Sequence, residues 1–162
     1  MMGLAVVAFA RIEPRTVSSA VDVRIVADEA DAVISILNKR RANQSIAEAD
    51  WQRLFASEGY VRLKKREAEM KRAFEDEEFK TFILSEALAE RASLLELTLT
   101  KWKSSDVREA AKRVLAYLPR EARIRAKIYP VIKPRENSFV FEVSRDPAIF
   151  LYLDPAVTRE QF

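Results

Sequence analysis

Residues 121–155 read EARIRAKIYPVIKPRENSFVFEVSRDPAIFLYLDP, the one stretch of the 162-residue chain with a sustained β pattern. From Ala122 to Ile128 the side chains alternate with a period of two. Arg123, Arg125 and Lys127 share one face, and Ala122, Ile124, Ala126 and Ile128 share the other. This predicts a strand with a dry face and a basic wet face. Pro130 lacks a ladder N–H and suits the end of that strand or a sheet edge. Lys133 to Asn137 (KPREN) is a turn signal, Ser138 to Ser144 a second strand, and Arg145-Asp146-Pro147 a second turn. Ala148 to Leu153 (AIFLYL) is apolar on both faces, the pattern of a strand with neighbours on both edges and cover above and below. The remaining residues do not encode that whole cover, so the strand is also a candidate surface for self-association.

Upstream the period is helical. Val21 to Val26 alternates briefly and reads as a further short strand. Ala30, Val33, Ile34 and Leu37 form one apolar stripe, with acids at its start and Lys39, Arg40 and Arg41 at its end. Ser45 and Glu48 have capping-box spacing for a helix carrying Trp51, Leu54 and Phe55, which pauses near Gly59. Phe79 to Trp102 is the longest apolar helical run, with a break near Ser85, and Asp106 with Glu109 caps the next helix, ended by Pro119. The expected architecture is α+β: a helical bundle over 28–118, then a small, mainly antiparallel sheet of about three strands over 121–155. Residues 1–20 read as a signal remnant or flexible segment. Residues 21–162 read as a single domain, incomplete at its carboxyl end because Thr158 opens a helix that is not finished.

Composition narrows the chemistry. Hydrophobic residues make up 49% and charged residues 33%, which fits a folded helix-rich domain. Two glycines exclude glycine-rich phosphate loops and nucleophile elbows. The absence of cysteine and histidine excludes thiolate and imidazole metal sites and a Ser-His pair. The net charge of +3 is mild and gives no strong nucleic-acid signal. Two basic features stand out. One is the strand face Arg123, Arg125 and Lys127, a candidate surface for a substrate or partner strand. The other is the run Lys64, Lys65 and Arg66, a candidate patch for a polyanion or simply a solvated helix face. Glu75 to Glu78 are four acids at a helix start, where the dipole favours them.

Four phrases carry a resemblance: DWQRLFASEGYVRLKKRE at 50–67, YLP at 117–119, IYPVIKPRENSFVFEV at 128–143 and DPAIFLYLDP at 146–155. Together they resemble the amino-terminal part of a group of bacterial zinc-dependent, zincin-like peptidases. In that family the helix after the last strand carries a His-Glu-x-x-His pair that binds zinc, with its glutamate as general base. The resemblance implies a peptide or protein substrate, an edge strand lining the substrate cleft, and zinc in a longer parent protein. With no histidine here, no catalytic or metal-binding residue is carried onto any position, and the chain alone is expected to be inactive. The alternative is a non-enzymatic binding module that contacts a protein or an anionic polymer through the basic strand face. A carboxylate-based enzyme is a third reading, and the acids mostly sit at helix starts.

Overall fold

The computed structural model of the chain describes residues 20–153. Strand β1 (Val21–Ile25) leads into helices α1 (Asp28–Arg41), α2 (Glu48–Phe55), α3 (Glu58–Glu69), α4 (Asp76–Ile83), α5 (Glu86–Lys103) and α6 (Val107–Leu115). The chain then returns through strands β2 (Ile124–Val131), β3 (Phe139–Phe141) and β4 (Ala148–Tyr152). The fold is α+β. The apolar amino-terminal run read as a signal remnant, and the helix opening at Thr158, lie outside the described residues.

The sheet differs from a mainly antiparallel meander. Its order is β1-β2-β4-β3. β1 pairs parallel with β2, Val21 opposite Ile124. β2 pairs parallel with β4, Lys127 opposite Ala148, and only β3 runs antiparallel, Phe139 opposite Phe150. The cause is hydrophobicity. The uniformly apolar 148–152 segment takes an interior place, which separates the two strands that flank the KPREN turn. The short segment with outward Val140, 56% exposed, is left at the edge. The strand read as Ser138 to Ser144 pairs over only three residues, because Glu142 turns to a left-handed φ of 51°.

β2 is therefore an interior strand, and Pro130 sits inside it. Ile124 N donates to Ala20 O and Val26 N donates to Ile128 O on the β1 side, whereas Lys127 N donates to Pro147 O on the β4 side. By this alternation Pro130 faces the β1 side two residues past the end of the β1 pairing, where a missing N–H costs no ladder bond.

The register divides the sheet into two faces. Val21 and Val23 lie beside Ile124 and Ala126, and they pack under Val107, Ala111 and Leu115 of α6. Burying Val21 and Val23 stabilises by roughly 1.5–3 kcal/mol each. Tyr129, Val131 and Phe150 face the other way and join the main core with Val33 and Leu37 of α1, Leu54, Tyr60, Leu63, Phe79 and Ile83, and Leu95 of α5. The rings of Phe139, Phe150 and Tyr129 stack in sequence at 4.8 Å spacings. On the α6 face, Ile149 and Leu151 of β4 are half-buried, while Phe150 and Leu153 are buried in the main core.

Local signals explain most helix ends. Ser85 accepts from Leu88 N and breaks the long apolar run where expected, and Asp106 accepts from Glu109 N at 2.8 Å. The second helix starts at Glu48, not Ser45: the carboxylate that reaches back is Asp50, accepting from Ala47 N at 2.9 Å. The pause expected near Gly59 falls at Ala56 and Ser57, between α2 and α3, and Gly59 comes just after it. This glycine lies in the first turn of α3, whose Ser57 cap accepts from Tyr60 N, and it allows that turn to press against α1. A Cβ at Gly59 would stand 2.9 Å from Glu29 Cβ.

Candidate functional site

The polar residues of the sheet collect where α3 crosses β2 and the β3–β4 turn. Glu58 and Arg62 lie one helical turn apart on α3 and so share a face. Lys127 Nζ donates to Glu58 Oε1 at 2.7 Å and to Asp146 Oδ2 at 2.8 Å. Arg62 donates through Nη1 to Tyr129 Oη at 2.9 Å and Asp146 Oδ2 at 2.8 Å. Its Nη2 donates to Glu142 Oε2 at 2.7 Å and to Asp146 O at 2.6 Å. Tyr129 Oη in turn donates to Glu58 Oε1 at 2.8 Å. The Lys127 ammonium holds the Asp146 and Glu58 carboxyls below the usual carboxylate range, and Lys65 does the same for Glu142. Burial, reinforced by the bond to Glu58, raises the Tyr129 phenol well above its ordinary value. Every cation here has a carboxylate partner, so the cluster clamps helix to sheet and leaves little charge for a ligand.

The residues singled out in the sequence divide accordingly. Lys127 and Lys65 enter the clamp, Lys65 through Glu142 Oε1 at 2.5 Å. Arg125 stays 64% exposed, 3.8 Å from Asp146, and Arg123 is exposed before β2 begins. Lys64 turns away to Asp76, which also accepts from Tyr60 Oη, and Arg66 pairs with Glu67. The three consecutive cations thus face three different partners and form no joint patch. β2 has a neighbour on each side and is not the strand an extended peptide would join; among the described residues β1 and β3 are the edges. That role could not be read from alternation, which reports faces and not edges.

A second cluster, missed in the sequence, lies where the α3–α4 connection meets the β2–β3 connection. Leu63, Glu67, Lys71, Arg72, Ala73, Phe74, Lys133, Pro134 and Arg135 line a cleft of about 340 Å³. Lys133 is only 2% exposed; its Nζ donates to Arg135 O and, at 2.5 Å, to Asn137 Oδ1. Burial pushes its pKa down to about 8; Glu67 opposes this, and Arg66, Arg72 and Arg135 add to it. Arg72 Nε donates to Glu67 Oε2 at 3.0 Å, and its Nη2 is buried without a partner. The available sequence signal was Lys133 continuing the period of Lys127, Tyr129 and Val131 on the inward face.

Next to it lies Glu29, fully buried, with Oε2 accepting from Ile132 N at 3.2 Å and Oε1 unpaired. Desolvation raises its pKa well above the carboxylate range, despite the Ile132 bond.

Among the described residues no His, Cys, Asp or Glu group is arranged to hold a metal ion, and no helix is long and apolar enough to cross a membrane. In comparisons with known proteins, the chain matches no family model, no curated protein and no solved structure.

Proposed function

We propose that this chain is the amino-terminal, peptide-presenting part of a zinc-dependent peptidase, with β3 as the strand that an extended substrate joins. The observation that supports it most is the position of β3: it is the sheet's antiparallel edge, beside β4, the strand from which the chain runs toward residues 154–162. This agrees with the family resemblance, in which an edge strand lines the cleft and the metal-binding helix follows the last strand. Main-chain bonds to an open edge supply affinity, and alternate side chains supply selectivity. A three-residue edge limits such pairing to a short segment, with exposed Val140 as its outward side chain.

The residues present do not fit a zinc centre, since the chain has no histidine or cysteine. The metal ligands of the parent enzyme would lie beyond them, and this chain alone would bind substrate without cleaving it. The reading as a module for anionic polymers has less support, because Lys127 is held between Glu58 and Asp146.

Two measurements test the reading. Titrating the labelled chain with short extended peptides should shift the amides of Phe139, Val140 and Phe141 and newly protect that of Val140, the one of the three whose N–H faces away from β4; changes confined to other residues would remove the edge-strand role. The coding sequence downstream of Phe162 should encode His-Glu-x-x-His within a turn or two, and a stop codon directly after Phe162 would end the peptidase part.

A further inference from the structure

We propose that the cleft between the α3–α4 and β2–β3 connections is an oxyanion-binding site, with Lys133 and Arg72 at its base and Lys71 and Arg135 at its mouth. Among the described residues four cations line it against one carboxylate, Glu67, which is already held by Arg66 at 2.6 Å and Arg72 at 3.0 Å. Lys133 differs from the other buried cation, Arg62. Arg62 meets two carboxylates, whereas the two bonds from Lys133 Nζ end on a carbonyl and an amide oxygen, both neutral. A lysine has three N–H donors, so one remains unspent by these bonds. The buried Arg72 Nη2 has no partner either.

A buried ammonium with only neutral partners and a buried guanidinium N–H with none are both costly, and a carboxylate or phosphate oxygen entering the cleft would satisfy them. Leu63, Ala73, Phe74 and Pro134 supply apolar walls that strengthen such contacts. Burial is what chiefly depresses the Lys133 pKa, Glu67 opposes it, and Arg66, Arg72 and Arg135 add to it.

The cleft also adjoins the start of β3. Lys133 Nζ lies 5.6 Å from the centroid of the Phe139 ring, and Arg66 Cζ lies 3.9 Å from it. The oxyanion can come from free phosphate or from a carboxylate of a peptide seated on β3. The second source rests on the edge-strand reading above, but affinity for an oxyanion does not.

Calorimetric titration of the 162-residue chain with inorganic phosphate at low ionic strength tests the site. Saturable binding is expected; Lys133→Met should abolish it and the exposed Arg135→Ala should weaken it. Glu67→Gln removes the cleft's one carboxylate and should tighten binding by about tenfold, a gain that misfolding cannot mimic. No saturable binding, or phosphate affinity indifferent to all three substitutions, would overturn the site. A short peptide with a free carboxyl end, compared with its amide, separates the sources. Displacement of phosphate by the free acid alone assigns the site to a peptide carboxylate. Binding of both peptides without displacement upholds the site for free phosphate and leaves the edge-strand reading standing. Phosphate binding with no peptide binding upholds the site and removes the edge strand.

Discussion

Arg62 and Tyr129 meet in two ways: Nη1 donates to the phenol oxygen at 2.9 Å, and the guanidinium carbon stands 5.3 Å from the ring centroid. Tyr129 is on an interior strand and Arg62 on a helix 67 positions earlier, so this pair fixes the distance between helix layer and sheet. Removing Arg62 leaves Asp146 to Lys127 and Glu142 to Lys65, and takes away the one group that joins them to Tyr129.

Arg62→Ala is accordingly expected to cost about 2 kcal/mol, for the charged hydrogen bond to the phenol and the packing of a largely buried side chain. Tyr129→Phe loses only the phenol's bonds and should cost about 1 kcal/mol. Urea denaturation of the two variants checks the order; a larger loss for Tyr129→Phe would mean that the phenol, not the guanidinium, holds the cluster.

Glu29 gives the chain an alkaline weakness. Its folded pKa is raised, so its contribution is complete below the unfolded-state value, near 4.5, and is lost as pH rises toward the folded value. Glu29→Gln escapes that loss. Its melting temperature should match the parent's near pH 4 and exceed it progressively at higher pH. A constant difference across that range would show that Glu29 does not titrate abnormally.

Asp146 and Glu58 act in the opposite sense. Their carboxyls are depressed by Lys127, so their contribution is present above the unfolded values and is lost as pH falls through the folded ones. In Lys127→Met the acid limb of stability between pH 5 and 3 should be shallower than in the parent, as followed by thermal melts. An unchanged limb would locate acid sensitivity elsewhere.

Gly59→Ala should destabilise by about 1–3 kcal/mol despite alanine's better helix propensity. The new methyl meets Glu29 Cβ at 2.9 Å, an atom fixed to the α1 backbone, with Asp28 Oδ1 at 3.1 Å. An alanine variant as stable as the parent in denaturant would show that α3 can slide on α1.

The helices were legible because their signals are local. The 30–37 stripe, the Ser85 break and the Asp106 cap each lie within a few residues of what they control. Strand partners were not. Nothing within 148–153 states that this segment inserts between its two predecessors, nor does 21–25 reveal that it waits for 124–128. The clamp and the cleft were hidden for the same reason. Lys127 showed a face by alternation and Lys133 was read within the KPREN turn, but their neighbours Glu58, Asp146 and Arg72 belong to distant segments. Only Arg125 and Arg123, which face water, behaved as a strand's wet side predicts.

The parallel seam between β1 and β2 also sets an order of events during synthesis. Val21 pairs with Ile124, 103 positions later, with all six helices encoded between them. At 5–20 residues per second, the first strand leaves the ribosome about 5–20 s before its mate. Through that interval the helices can dock on one another while a hydrophobic strip stays unzipped. The nascent chain is therefore open to capture by chaperones along β1 until residues 124–128 emerge and close the seam.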